Sequence, residues 1–200
     1  LLCHLLNDPA MNMVLVFTRT KHGADRVARR LDALGIKTGT LHANRSQNQR
    51  LRALEDFRSG AIRVLIATDI AARGIDVDGI SHVVNLDFPP QVEDYVHRIG
   101  RTGRANAIGD AISFICEDDY GSLRSLERFI GRGIVRKRAE GFDYNAPAPK
   151  LSPEDEERRR SPRGGGRGGG RSGGQGGGRG ADPRRGSAFG GGSRTGGRGR

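Results

Sequence analysis

Five short runs of strand length, separated by longer amphipathic or polar stretches, set the strongest limit on what this chain can fold into. Residues 11–18 (MNMVLVFT) and 62–67 (IRVLIA) are rich in Val, Leu and Ile and do not alternate with polar residues. That pattern suits strands covered on both faces. Residues 36–41, 81–86 (SHVVNL) and 109–116 are three further strand candidates. In residues 21–34, Ala24, Val27, Ala28, Leu31 and Leu34 fall at helical spacing, and Gly35 is placed to stop that helix. Asn44 or Ser46 can cap a second helix running to Arg58, with Leu51, Leu54 and Phe57 on its apolar side. A loop punctuated by glycine spans residues 68–78. A third helix starts near Val92, and a fourth runs from Asp118 or Asp119 to about Ile130. Strands alternating with helices predict an α/β fold, a parallel sheet with helices on both faces.

In such sheets ligands gather beyond the carboxyl ends of the strands. Four polar segments fall on that edge: residues 18–20, 42–50, 68–76 and 97–104. The last, HRIGRTGR, carries Arg98, Arg101 and Arg104 at every third position with glycines between them. Guanidinium groups grip multi-oxygen anions in bidentate fashion, and a triphosphate is the obvious candidate. Taken alone, the octapeptide is equally a basic loop that touches nothing. Thr18, Arg19 and Thr20 suit an oxygen-rich ligand, or Thr20 simply caps a helix. Ser46 caps a helix whose first turn holds Gln47 and Arg50 as surface neighbours. Its N-terminus favours anions such as backbone phosphates, with a plain capped helix as the alternative. In ATDIAARGID (67–76), Thr68 and Asp69 either touch a ligand or hold the turn, and Asp76 can accept from a ribose hydroxyl or orient an arginine.

No phosphate-cradling glycine-lysine loop occurs in the chain, and no paired acids stand ready to hold magnesium. No metal-ligand spacing is present either. Arginines fit to stabilise a phosphoryl transition state are therefore present without the machinery that binds the nucleotide. That is the logic of an arginine finger supplied by one domain to a site on another.

Composition changes sharply along the chain. Residues 161–200 carry nine arginines and one acid, Asp182, and so supply +8 of the formal net charge of +11. Such a Gly/Arg segment has too little apolar surface to offset the entropy of ordering, so a disordered basic tail is expected. Nucleic acid is the favoured partner for it, with a solubilising tail as the alternative. The expected division is a domain at residues 1–135, a linker at 136–160 and the tail at 161–200. Cys3 and Cys116 lie in or beside apolar runs and read as small core residues, which points to a cytoplasmic protein. The chain opens on Leu1 and is read as a fragment.

The segments VLVFTRT (14–20), LHANRSQNQR (41–50), ATDIAARGID (67–76), VVNLDFP (83–89) and YVHRIGRTGR (95–104) resemble, in order and spacing, the second-domain motifs of the DEAD-box RNA helicases. Residues 141–147 (GFDYNAP), followed by a Gly/Arg tail, resemble the bacterial RhlE-type branch. The resemblance implies a RecA-like domain acting in an ATP-dependent RNA helicase. ATP and Mg2+ would be held mainly by an N-terminal RecA-like domain in the same protein. Arg101 and Arg104 would reach the γ-phosphate. Asp76, Gly74, His97 and Arg98 would lie on the nucleotide side or support domain closure. Thr18, Arg19, Gln47, Arg50, Thr68 and Asp69 would contact the RNA backbone with little sequence preference. Ala43-Asn44 departs from the usual Gly-Asp, and no RNA contact is carried onto it. A stand-alone RNA-binding or annealing module without ATPase activity is the competing expectation.

Overall fold

Each of the five runs contributes one four-residue strand: β1 Val14–Phe17, β2 Thr38–Leu41, β3 Val64–Ala67, β4 His82–Asn85 and β5 Asp110–Ser113. The structure is a computed structural model that describes residues 1–103 and 109–146. Arg104, residues 147–160 of the expected linker and the Gly/Arg tail lie outside the described residues. All strand pairings are parallel, in the order β2-β3-β1-β4-β5.

The missing alternation in the apolar runs has a direct cause. Leu15, Phe17, Leu65, Ala67 and Val83 pack on one face of the sheet against Ala53 and Phe57 of α3 (Gln47–Arg58) and Ala71 and Ala72 of α4 (Asp69–Ala72). Val14, Val16, Val64, Ile66 and Val84 pack on the other, against Leu2 of α1 (Leu2–Leu5) and Ala24, Ala28 and Leu31 of α2 (Lys21–Asp32). Both faces of β1 and β3 are therefore core, and every residue of these two strands is buried. A third, smaller cluster joins Phe88 and Tyr95 to Leu123 and Leu126, linking α5 (Val92–Ile99) to α6 (Tyr120–Ile130).

The caps follow the sequence signals. The Thr20 hydroxyl accepts from the Gly23 N–H at 3.0 Å. Ser46 and Gln49 form a reciprocal capping box at α3. Gly35 and Gly60 close α2 and α3 with φ of 79° and 76°. Gly39 has a different task, because a Cβ there would stand 2.5 Å from Ile62 Cδ1. Its lack of a side chain lets β2 lie close under Ile62.

Four expectations change. Leu51 faces solvent, because the buried face of α3 is the i, i+4 pair Ala53 and Phe57 with Leu54 beside it. Leu34 is also exposed, since α2 ends at Asp32, before it. The loop at 68–78 contains α4, whose two alanines are small enough to bury a single helical turn against β3. Cys116 is exposed rather than core, and its thiol donates to Asp119 Oδ2 at 2.8 Å. That bond to Asp119 leads in raising the thiol's pKa. Past residue 135 the chain folds back on α1. His4 Nε2 donates to the Glu140 carbonyl oxygen at 2.8 Å, and its ring meets Phe142 edge-on. Residues Leu1–Ala146 make one compact unit.

Candidate functional site

The strand order fixes where a ligand crevice opens. From β1 the chain leaves through α2 toward the β3-β2 side, and from β4 it leaves through α5 toward β5. The crevice lies at the carboxyl ends of β1 and β4, the switch point at which α/β sheets bind ligands. Here a side chain of the protein fills it. Arg98, on the last turn of α5, is only 3% exposed. Its Nε and Nη2 donate to Asp69 Oδ1 and Oδ2 at 2.6 and 2.8 Å, a bidentate fork. Its Nη1 donates to Asn85 Oδ1 at 3.0 Å and to the Asp87 carbonyl oxygen at 2.7 Å. The guanidinium carbon stands 5.0 Å above the centre of the Phe17 ring. One arginine thus joins the ends of β1 and β4 to the segment following β3.

This geometry separates the two arginines that the sequence treats alike. Arg98 and both Asp69 oxygens are committed to each other, so Asp69 holds the 68–72 turn. Arg101 lies one turn further on, past the Gly100 cap, and is half-buried. Its Nη1 donates to the Ile75 carbonyl oxygen at 2.7 Å, which ties it to the loop carrying Gly74 and Asp76. Gly74 has φ of 83°, a conformation that side chains resist, and its position is open. Asp76 is exposed, and its carbonyl accepts from Arg58 Nη2 at 2.5 Å. His97 is exposed and lines a shallow cleft with Arg73, Asp94, Arg98 and Arg101. Among these groups Asp69 is neutralised by Arg98, and Asp94 lies 3.8 Å from Arg73. Arg73, Arg98 and Arg101 place three guanidinium groups on this cleft, a donor type that fits phosphate oxygens.

The turn itself is pinned from behind. The Thr102 hydroxyl donates to the Ile80 carbonyl oxygen. A Cβ on Gly109 would collide with the Thr102 side chain and stand 2.5 Å from the Gly103 nitrogen. The start of β5 is pressed against the arginine turn, and only glycine leaves room for it.

The remaining expected residues fall into two groups on the same edge. Arg50 joins α3 to α4: Nη1 donates to Gln47 Oε1 at 3.4 Å and Nη2 to the Ala71 carbonyl oxygen at 3.5 Å. Gln47 and Arg50 are thereby neighbours beside the end of α4, and the Thr68 side chain at the start of that helix makes no capping bond to it. Arg19 belongs to the second group. Its N–H donates to Asp87 Oδ2 at 2.7 Å, its Nη2 donates to the Phe88 carbonyl oxygen at 3.4 Å, and its side chain is 62% exposed. Thr18 is buried, with its hydroxyl donated to the Thr20 carbonyl oxygen. Asn44 accepts from Lys21 Nζ at 2.9 Å. Arg104 lies outside the described residues.

Sequence reasoning missed Asn85, Asp87 and Phe17 as the socket for Arg98. A polar Asn closing an otherwise apolar run was the available signal. It also missed Arg73 and Asp94 on the cleft.

The helicase conserved C-terminal domain family matches residues 1–106. The ATP-dependent RNA helicase RhlB of Pseudomonas syringae pv. tomato is 48% identical over 134 residues, 67% of this chain and 34% of that protein. The DEAD-box ATP-dependent RNA helicase CshA of Geobacillus kaustophilus is 42% identical over 143 residues, 72% of this chain and 31% of that protein. The chain spans about a third of the length of these curated relatives. Their names are RhlB and CshA, and the RhlE-type branch is not among them. Among solved structures, the E. coli DEAD-box protein SrmB, bound to regulator of ribonuclease activity A, superposes with a TM-score of 0.68 and 36% identity, over 75% of this chain and 88% of that one. S. cerevisiae Dbp5 bound to RNA and ADP BeF3 does so with a TM-score of 0.60 and 34% identity, over 65% of this chain and 35% of that one.

Proposed function

This chain belongs to the helicase conserved C-terminal domain family, and on that premise we propose that it is the second RecA-like half of an ATP-dependent RNA helicase of the DEAD-box type. The observation that carries the reading is the split within the arginine turn. Arg98 fills the sheet crevice that would otherwise take a ligand, and Arg101 stands beyond it on the cleft lined by Arg73, Asp94 and His97. A nucleotide held mainly by a preceding domain, with its Mg2+, meets this cleft rather than the crevice. ATP supplies the phosphoryl group that is transferred to water. Arg101, with Arg104, stabilises the negative charge that develops on that group, as an arginine finger does. Asp76 orients the ribose or the finger, with Gly74 and His97 shaping the same side. Arg98 acts as a positioning residue that keeps the 68–72 turn and the finger in fixed relation.

Arg19, Gln47, Arg50 and the Thr68 hydroxyl contact the RNA backbone, positioning the strand without reading its sequence. Asp69 serves that surface indirectly, through Arg98, and the buried Thr18 does so by shaping the turn before α2. Closure of two such halves on ATP and RNA bends one strand and separates it locally from its partner. The protein is placed in the cytoplasm, where Cys3 and the exposed thiol of Cys116 remain reduced.

The test uses the full-length protein. Replacing Arg101 by Ala is expected to lower RNA-stimulated ATP hydrolysis on the order of 10³-fold, with a much smaller change in ATP affinity. Hydrolysis that survives the change would assign the finger elsewhere.

A further inference from the structure

The end of α6 carries a second row of arginines that the proposed catalytic edge does not use. Arg124 and Arg128 are four apart on one helix face, about 6 Å along the axis, and Arg132 follows just beyond the Gly131 cap, where φ is 71°. All three are exposed. Together with Gly131 and Gly133 they line an open depression whose one acid is Glu127. That acid is already held: it accepts from the Ile134 N–H at 3.0 Å and from Arg136 at 3.1 and 3.2 Å. The Ile134 N–H leads in keeping its carboxyl below the usual range, followed by the charge and hydrogen bonds of Arg136 and, last, the charge of Arg124. Among the described residues, Arg124 and Arg132 form no ion pair. Arg128 reaches only Arg124 O and Ser125 Oγ, with no acid. Next to Arg128 on the exposed half of the helix stands Phe129, 67% exposed.

A row of three guanidinium groups sharing one acid that Arg136 already holds stands beside a solvent-facing aromatic ring. It suits a polymer of anions with stackable bases. We propose that this face of α6 is a second binding track for single-stranded RNA, separate from the sheet edge and independent of ATP. The arginines take backbone phosphates and Phe129 takes a base. The inference rests on the RNA-helicase reading but not on its catalytic assignments. An acidic protein partner is the rival occupant. The row of three charges without matching hydrophobic pockets favours the extended polyanion.

The test measures binding of a fluorescein-labelled 20-nucleotide oligo(U) RNA to the full 200-residue chain, by anisotropy across a salt series without nucleotide. Replacing Arg124, Arg128 and Arg132 together by Glu is expected to weaken binding at least about tenfold, and the corresponding Gln triple to flatten the log–log salt slope by about 2. Arg26, Arg30 and Lys37, also exposed, are changed to Glu as a control with the same charge difference and are expected to lose less than about threefold. Phe129→Ala is expected to lower affinity without moving the slope. A ridge variant no weaker than the control, with an unchanged slope, overturns the track and assigns the face to a protein partner. Arg50→Ala tests the sheet edge separately. If it weakens binding while the ridge variant does not, the helicase reading stands and the track falls. If the unmodified chain binds no RNA, the track falls, and the helicase reading is judged by the Arg101→Ala hydrolysis test instead.

Discussion

Two stretches of this protein place arginines at helical intervals, and the fold uses them in opposite ways. In the turn after α5, Arg98 is drawn inside and makes four hydrogen bonds to Asp69, Asn85 and the Asp87 carbonyl oxygen. On α6, Arg124 and Arg128, and just beyond its cap Arg132, are left in solvent around one acid that Arg136 has already taken. Spacing does not separate the two cases. The difference comes from what converges on each row. The turn lies at the meeting point of three strand ends, each of which leaves polar groups facing inward, and the buried guanidinium of Arg98 needs the half-buried Asp69 carboxylate as its partner. The outer face of α6 meets no such convergence. Arg101 stands between these extremes, anchored to Ile75 on one side and facing a cleft on the other.

The comparison makes opposite demands on Arg101 and Arg98. Arg101→Ala is the larger effect on chemistry, a loss on the order of 10³-fold in hydrolysis, or about 4 kcal/mol of transition-state stabilisation. Its melting temperature should move by no more than about 2 °C. Arg98→Ala is expected to reverse that profile. It strands Asp69 and Asn85, and it destabilises the domain by about 3 kcal/mol, at the low end for a broken buried pair because Asp69 is 31% exposed. Thermal unfolding should fall by on the order of 10 °C. Arg98→Lys keeps the charge but loses the fork and should recover less than half of the loss. If Arg98→Ala left stability intact and abolished only hydrolysis, the two arginines would share one role.

The sheet was legible in the sequence because its cause is local. Runs such as VLVF and VLIA lack alternation when both faces are covered, and the strands lie within them. Caps at Thr20 and Ser46 were legible for the same reason. The site was legible only as a set of polar segments on one edge. Which arginine turns inward depends on Asn85, Asp87 and Phe17, residues 11 to 81 positions away, and no spacing rule carries that. The fold-back of residues 136–146 onto His4 was hidden similarly. Phe142 and Tyr144 lie in a polar, proline-containing stretch with no periodicity, and although their contact with each other is local, the contact of Phe142 with His4 of α1 is tertiary.

A third change sharpens the contrast from the backbone side. Gly109→Ala places a methyl group against Thr102 and Gly103 without touching Arg98 or its partners. Overpacking of this kind costs about 2 kcal/mol. The strain falls on the turn that carries Arg101, so hydrolysis in the full-length protein should drop more than the loss of folded protein explains. Gly121→Ala is the matched control, since nothing lies within 4 Å of a Cβ there. In α6 it should be neutral or stabilising by up to about 1 kcal/mol. Equal activity in the two variants would show that the turn absorbs the methyl and that Arg101 does not depend on it.

The smallest effect concerns an arginine of intermediate burial. Arg45 is 36% exposed and donates to Asp25 Oδ1 at 2.9 Å and to Thr40 Oγ1 at 2.8 Å. The buried His42 donates to the same Asp25 oxygen at 2.9 Å. Burial works to raise the Asp25 pKa, but the bond from His42 and the charges of His42, Arg45 and Arg29 outweigh it, so the carboxyl lies below its ordinary 3.8. A folded-state pKa below the unfolded value means that the carboxylate adds stability above about pH 4 and that this contribution fades as pH falls through the lowered value. Asp25→Asn keeps an acceptor for His42 but removes the charge, at a cost of about 1 kcal/mol near pH 7. Urea unfolding of both proteins at pH 7 and pH 3 should show that difference shrinking at the lower pH. A difference that stays constant would mean that the pair is held by shape rather than charge. Arg45 would then belong with the solvent-facing arginines of α6 and not with Arg98.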